Sequence, residues 1–364
     1  MTIRVPFLDL SIHDVKEREQ LLEVMERVLS HGRLVMGPEI ETFEARIAAY
    51  CGRRYGVSVG SGTDALFMGL RALKVGPGDE VITTALSWVA TANAIAMTGA
   101  TPVFADIRED LNIDPASVER LITPRTRALL VVDFAGRIAE MEMLISLCEQ
   151  HHLHLVEDGS QAFGALRNGQ RCGSFGVLSA ISHNPMKVFA ATGEAGTVLC
   201  DDPDLYERLV MLRYNGTVNW ETCVEPSLNG RMDTLQAAVL LYRLERFDEL
   251  IARRREHAAY YISRLAGYVD LPEEGADERQ VYYTFTIRTE QRDALEPYLA
   301  KRNIETKVQH RILMPEQPAY QPARGEYATA QKLTQTILAL PVHEKLTEQQ
   351  RRCVADSVLA FFAA

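Results

Sequence analysis

The 364-residue sequence predicts an α/β protein, with a mostly parallel central sheet flanked by helices and a smaller C-terminal α+β domain. Three observations lead there. Apolar runs of strand length alternate with helix-like segments through the first two-thirds of the chain, the pattern of strand–helix–strand units layered around one sheet. Ala128–Phe134 is an almost unbroken apolar run bounded by charge and glycine, as expected of a strand covered on both faces. After about Leu235 the texture changes to long helical stretches rich in Leu, Ala, Arg and Glu.

Taken in order, Arg54–Val59 reads as a strand leading into a helix marked by Ala65, Leu66, Leu70 and Leu73. The turn Gly76-Pro77-Gly78-Asp79 precedes a strand at Glu80–Thr83. Ala90–Met97 is predicted as a helix, Thr101–Ala105 as a strand, and Asp114–Leu121 as a helix opened by an Asp-Pro cap. A helix near Glu140–His151, a strand at Leu153–Val156 and a strand-like run at Thr197–Cys200 follow. Thr234–Arg264 shows no strong internal breaker and reads as one long helix. Gln280–Arg288 alternates like an antiparallel strand, with helices near Arg292–Arg302 and Tyr327–Leu338. The expected domains are 1–245 and 246–364, the long helix bridging them.

Composition narrows the function. Hydrophobic residues make up 47% and charged residues 24%, the balance of a globular protein with a real core. A net charge of −10 and a pI of about 5.5 argue against nucleic acid or an anionic membrane as partner. No apolar stretch reaches the length of a membrane span and the N-terminus lacks a signal-like apolar region. The six cysteines are scattered without a Cys-x-x-Cys pair, which suits reduced thiols in a cytoplasmic protein. His151, His152 and His154 stand close together, but Leu153 and Leu155 alternate around His154 as at a strand entrance, which disfavours a metal.

Lys187 carries the chemistry. It lies in Ser182-His183-Asn184-Pro185-Met186-Lys187, ahead of a turn of small residues, while Leu153–Val156 leads upstream into Glu157-Asp158-Gly159-Ser160-Gln161. A lysine on such a turn and an acid at the end of a buried strand suit pyridoxal phosphate: a Schiff base on the lysine, and an acid to keep the pyridine nitrogen protonated. Gly60-Ser61-Gly62-Thr63-Asp64-Ala65 joins a strand to a helix, where backbone N–H groups, the helix dipole and a Ser61 or Thr63 hydroxyl favour a phosphate. The same Gly-x-Gly-x-x-Ala spacing matches a dinucleotide fingerprint, so an NAD-binding oxidoreductase is the rival reading. Against it, the next strand ends Val81-Ile82-Thr83-Thr84 with no ribose-binding acid. Trp88, just past a strand end, is either a platform for a flat ring or a core residue.

In this order the segments resemble the DegT/DnrJ/EryC1/StrS family of pyridoxal-phosphate sugar aminotransferases of fold type I. The resemblance runs from Pro6-Phe7-Leu8-Asp9-Leu10 through Ser61–Leu66, Trp88–Ile95, Glu157–Ala165 and Asn229–Ala238 to His310, Gln317–Tyr320 and Leu340-Pro341-Val342-His343. It implies that Lys187 forms the Schiff base, Asp158 pairs with the pyridinium, Gln161 bonds the phenolic oxygen and Trp88 stacks on the ring. Gly62, Thr63 and Ser182 would hold the phosphate. Asn229 would reach the phosphate of a neighbouring subunit, implying a homodimer with shared sites, and His310 would stand at the substrate mouth. The implied reaction is ping-pong transfer of an amino group from glutamate or glutamine to a keto-sugar, commonly nucleotide-linked, with a ketocyclitol as an alternative acceptor.

The chain departs from the family at two places. His183 and Met186 replace an aromatic and a small or polar residue, making His183 either a substrate contact or a structural histidine. The segment Asp133–Met141 lacks the usual histidine, tyrosine and proline, and Arg137 within it is a candidate for an anionic substrate group. A sister branch that dehydrates sugars replaces the lysine with histidine, so Lys187 speaks against it. A non-enzymatic regulator on the same fold would need a DNA-binding segment or basic arm, and neither is evident.

Overall fold

The computed structural model describes residues 3–363. Seven strands form its main sheet: β1 (Tyr55–Val59), β2 (Glu80–Thr84), β3 (Thr101–Ala105), β4 (Thr126–Val132), β5 (His154–Asp158), β6 (Leu178–Ser182) and β7 (Gly196–Cys200). Their spatial order is β1-β7-β6-β5-β4-β2-β3. Neighbours are parallel except where β7 pairs with β1 and β6. Alternate residues of each strand feed two cores. Ile82, Leu129 and Leu155 point to one face, and Val81, Leu130 and Val156 to the other.

Helices cover both faces, so the central strands are apolar on each side. On the first face pack α2 (Pro38–Cys51), α5 (Pro115–Leu121), α6 (Met141–His151) and α8 (Thr234–Leu244), through Phe43, Val118, Leu144 and Leu240. On the second pack α3 (Gly62–Ala72), α4 (Ala90–Met97) and α7 (Pro203–Leu212), through Leu66, Ile95 and Leu209. The helix α1 (Val15–His31) is capped by the Asp14 carboxylate and lies against α8 through Val24, Val28 and Val239. Both α1 and α2 lie outside the elements read from the sequence.

Three expectations are corrected in the C-terminal third. Thr234–Arg264 is two helices, since α8 ends at Leu244 and α9 runs Phe247–Leu265. No Gly or Pro encodes the break. Phe247 turns into an aromatic cluster with Phe163 and Phe189, at centroid distances of 5.3 and 4.9 Å, and starts a new helix there. Within Gln280–Arg288 only β8 (Phe285–Arg288) is a strand, because Val281 N–H bonds to Gly136 O and Tyr282 takes a positive φ of 49°. Tyr327–Leu338 holds a short helix, Ala328–Leu333, and then β9 (Ile337–Leu340), which pairs antiparallel with β8. A third core gathers α9, these two strands and the helices Arg292–Ala300 and Glu348–Phe362 around Tyr261, Phe285, Leu295 and Val358.

Candidate active site

The carboxyl ends of β2, β5 and β6, the start of α3 and the loop after β6 enclose a cavity of about 450 Å³. Carboxyl ends of parallel strands are where open α/β sheets bind ligands. Lys187, Asp158, Gln161, Trp88, Gly62, Thr63, Ser182 and His310, separated by up to 248 positions in the chain, all line it.

Lys187 sits on a closed turn. Its N–H bonds to Asn184 O at 2.8 Å, Ala191 N–H bonds to His183 O at 2.7 Å, and His183 N–H bonds to Ala195 O at 2.8 Å. From α8, Gln236 Oε1 accepts from Thr192 N–H at 3.0 Å and Arg243 donates to Ala191 O at 3.2 Å. The Lys187 ammonium lies 4.9 Å from the Tyr283 ring centroid, a cation–π distance. Asp158, the last residue of β5, is 5% exposed. One oxygen accepts from Ser160 N–H at 3.1 Å and the other from the Thr91 hydroxyl at 3.3 Å, which fixes the carboxylate at the cavity floor.

The residues around them fit a flat, phosphorylated cofactor. Gly62 opens α3 so close to Ser182 that a Cβ there would stand 2.9 Å from Ser182 Oγ and nearer still to its Cβ. Any side chain would close the gap between the helix N-terminus and the strand, where amide donors and dipole favour a phosphate. Ser61 is the helix cap, accepting from Asp64 N–H at 3.1 Å, so of the two hydroxyls weighed there Thr63 remains uncommitted. Gln161 Oε1 accepts from Ala135 N–H at 3.0 Å, which leaves the amide NH2 as the group available to a ligand oxygen. Trp88 is 61% exposed at the rim and is not a core residue. Its ring stands 6.0 Å from that of His310, whose pKa is pushed down to about 4 by burial and then by Lys307 and Lys187.

Comparison with known proteins agrees with this architecture. The profile of the DegT/DnrJ/EryC1/StrS aminotransferase family matches residues 15–359. The chain belongs to that family. It is 42% identical over 363 residues to the dTDP-3-amino-3,4,6-trideoxy-alpha-D-glucose transaminase of Streptomyces venezuelae, covering 98% of this chain and 96% of the relative. The crystal structure of S. venezuelae DesV in complex with a ketimine intermediate superposes with a TM-score of 0.96 at 40% identity, covering 100% of each chain. A structure from Bacillus subtilis, ntda with bound cofactor PMP, gives 0.93 at 30% identity, covering 100% of this chain and 86% of that one. As a family member the protein is a pyridoxal-phosphate-dependent aminotransferase of fold type I.

Within this family member, two of the candidate substrate residues lie elsewhere. His183 is 0% exposed, with its ring nitrogens on Phe189 O at 3.3 Å and Thr197 Oγ1 at 2.9 Å and its faces against Phe43, Phe163 and Phe189. Burial pushes its pKa down to about 3. It braces the Lys187 loop from beneath and does not line the Lys187 cavity. Arg137 is turned away by the left-handed Ala135 and Gly136, with φ of 60° and 100°, and pairs with Glu278 at 3.0 Å and Asp110 at 3.7 Å. It lines a separate groove of about 1250 Å³. Asn229 is exposed outside the cavity of its own chain, its oxygen accepting from Arg231 at 2.8 Å. Sequence reasoning missed Thr91, Tyr283, Glu194 and Lys307, which also line the cavity. Thr91 and Glu194 were within reach, since Thr91 follows Trp88 on the first turn of α4 and Glu194 shares the loop of Lys187; Tyr283 and Lys307 arrive by tertiary contact alone. Among the described residues no helix is long and apolar enough to cross a membrane.

Proposed function

We propose that the protein moves the amino group of glutamate or glutamine onto the 3-keto carbon of a nucleotide-linked hexose. The observation that carries the reading is the placing of Lys187 and Asp158 in one cavity with the Gly62–Ser182 cradle. The sugar and its position follow the name of the 42%-identical Streptomyces relative, a dTDP-3-amino sugar transaminase.

Pyridoxal phosphate, when bound, supplies a carbonyl that Lys187 holds as a Schiff base and a ring that takes up electrons from the reacting carbon. Asp158 would face the ring nitrogen, Gln161 the phenolic oxygen, and Gly62, Thr63 and Ser182 the phosphate. Trp88 would cover one ring face. With the cofactor in place, Lys187 Nζ would act as the general base that takes the proton from the donor's α-carbon. In the second half-reaction the same amine would act as the general acid that delivers a proton to the sugar carbon receiving the nitrogen. His310, neutral at physiological pH, can accept or donate a hydrogen bond to the sugar without adding charge. Asn229, exposed on its own subunit, would complete the phosphate site of a second copy, making the working unit a homodimer. The 245/246 division into a cofactor-binding and a smaller C-terminal domain belongs to the same proposal.

Mixing the pyridoxal-phosphate-loaded protein with glutamate or glutamine tests the donor half. The visible cofactor band should convert to the pyridoxamine form with release of the matching 2-oxo acid, and a 3-keto dTDP-hexose should restore it. A band that persists with both donors would refute the reading.

A further inference from the structure

Two segments of the family resemblance take no part in the site above: Phe7-Leu8 near one end of the chain and Val342-His343 near the other. The structure brings them together. Val5 bridges to Ile304, Phe7 N–H donates to Glu305 at 3.1 Å, and Lys345 Nζ reaches the carbonyls of Asp9 and Ser11 at 3.2 and 2.7 Å. Under this strap lies a second, smaller cavity of about 80 Å³. It shares Met186, Tyr283, Lys307 and Gln309 with the Lys187 cavity and continues inward to Arg254 and His343. A water's share of liquid volume is about 30 Å³, so the space suits a carboxylate or a few waters.

Its walls hold hydrogen-bonding capacity that the protein does not use. Arg254 is 3% exposed and pairs through Nη2 with Glu344 at 3.1 Å and through Nη1 with Tyr282 O at 3.1 Å, yet its Nε–H has no partner. Gln309 is 4% exposed and its side-chain oxygen has no partner. His343 is 2% exposed and lies against the Pro6 carbonyl, but neither ring nitrogen completes a hydrogen bond. Buried polar groups are ordinarily satisfied, and three unsatisfied side chains around one cavity call for an occupant. Its charge is readable as well. Glu344 matches Arg254, burial lowers the His343 pKa and keeps that ring neutral, and Lys307 at the shared mouth adds a positive charge.

We infer that this side cavity binds a carboxylate of the amino donor, with Lys307 as the charge at its mouth and Arg254 Nε–H and Gln309 as hydrogen-bond partners. By a half-turn of its amide, Gln309 presents NH2 rather than oxygen to the anion. The inference rests on the amino-acid donor proposed above and adds what recognises it: the amine is placed at Lys187 while a carboxylate enters the adjoining cavity.

The test uses glutarate, a dicarboxylate that cannot react, titrated calorimetrically into the protein with and without pyridoxal phosphate. Binding should be measurable in the wild type and weakened about tenfold or more in Lys307→Met and in Gln309→Leu, the loss expected of a charge-assisted contact. The visible cofactor band should still form in both variants, which shows that the Lys187 site remains assembled. Alanine and glutamate half-reactions distinguish the two carboxylates. Equal sensitivity to Lys307→Met assigns the α-carboxylate, and sensitivity of glutamate alone assigns the side chain. Glutarate that fails to bind the wild type, or binds the variants equally well, overturns the inference, as does a variant that weakens only the sugar half-reaction. Because glutarate binding needs no turnover, it stands or falls separately from the transamination reading.

Discussion

At the residue scale, position in the fold separates chemistry from support more sharply than residue type. Lys187 and His183 are four positions apart on one loop, yet Lys187 lines the cavity while His183 is sealed in an aromatic cage. That cage has a measurable consequence. Burial lowers the His183 pKa from 6.5 to about 3, so the proton favours the unfolded chain. The penalty is absent above pH 6.5 and grows as pH falls, by up to about 1.4 kcal/mol per pH unit, until the folded pKa is reached. His257 and His310, both lowered to about 4, act in the same direction. His183→Gln, which keeps hydrogen-bonding groups but cannot titrate, should flatten the fall in Tm between about pH 6.5 and 5 without abolishing it. An unchanged slope would mean that His183 does not titrate as described. The sequence left this residue open between substrate contact and structural support, because the packing of Phe43, Phe163 and Phe189 around it is set by long-range contacts.

At the element scale, what was legible followed from local pattern. The helix α4 and the strand β3 have the bounds that the sequence predicts, and Asp114 caps its helix through Ala116 N–H at 3.1 Å. Six of the seven strands of the main sheet were readable because burial on two faces leaves long apolar runs, whereas β6, interrupted by Ser179 and Ser182, was not read. The α8–α9 break and the irregular segment after Gln280 share one cause. The break between α8 and α9 depends on Phe247 meeting Phe163 and Phe189, and the irregular Gln280–Thr284 segment depends on Gly136 and Arg254 capturing its backbone. Tertiary partners there overrode a helical or alternating pattern, as they commonly override propensity. The same gap hid Lys307 and Tyr283, which enter the cavity from the C-terminal third.

At the scale of the whole molecule, most residues named for the cofactor line one cavity because they sit in ordered motifs, whereas the other cavity residues come from segments that the sequence does not join. Arg137 illustrates this, since its place after β4 suggested the site but the Ala135–Gly136 turn sends it to another groove. The shared sites proposed between two copies make a further prediction. Lys187→Ala and Asn229→Ala should each be inactive alone. Mixed and allowed to exchange, they should recover about a quarter of wild-type activity, because half of the dimers are hybrid and each has one intact site. No recovery despite subunit exchange would place Asn229 outside a partner's site. The central claim remains the covalent role of Lys187. Borohydride reduction of the pyridoxal-phosphate-loaded protein, followed by peptide mass analysis, tests it most directly. The account predicts one reduced cofactor adduct on the peptide carrying Lys187, absent in Lys187→Ala; an adduct on another lysine, or none in a protein that binds the cofactor, would contradict it.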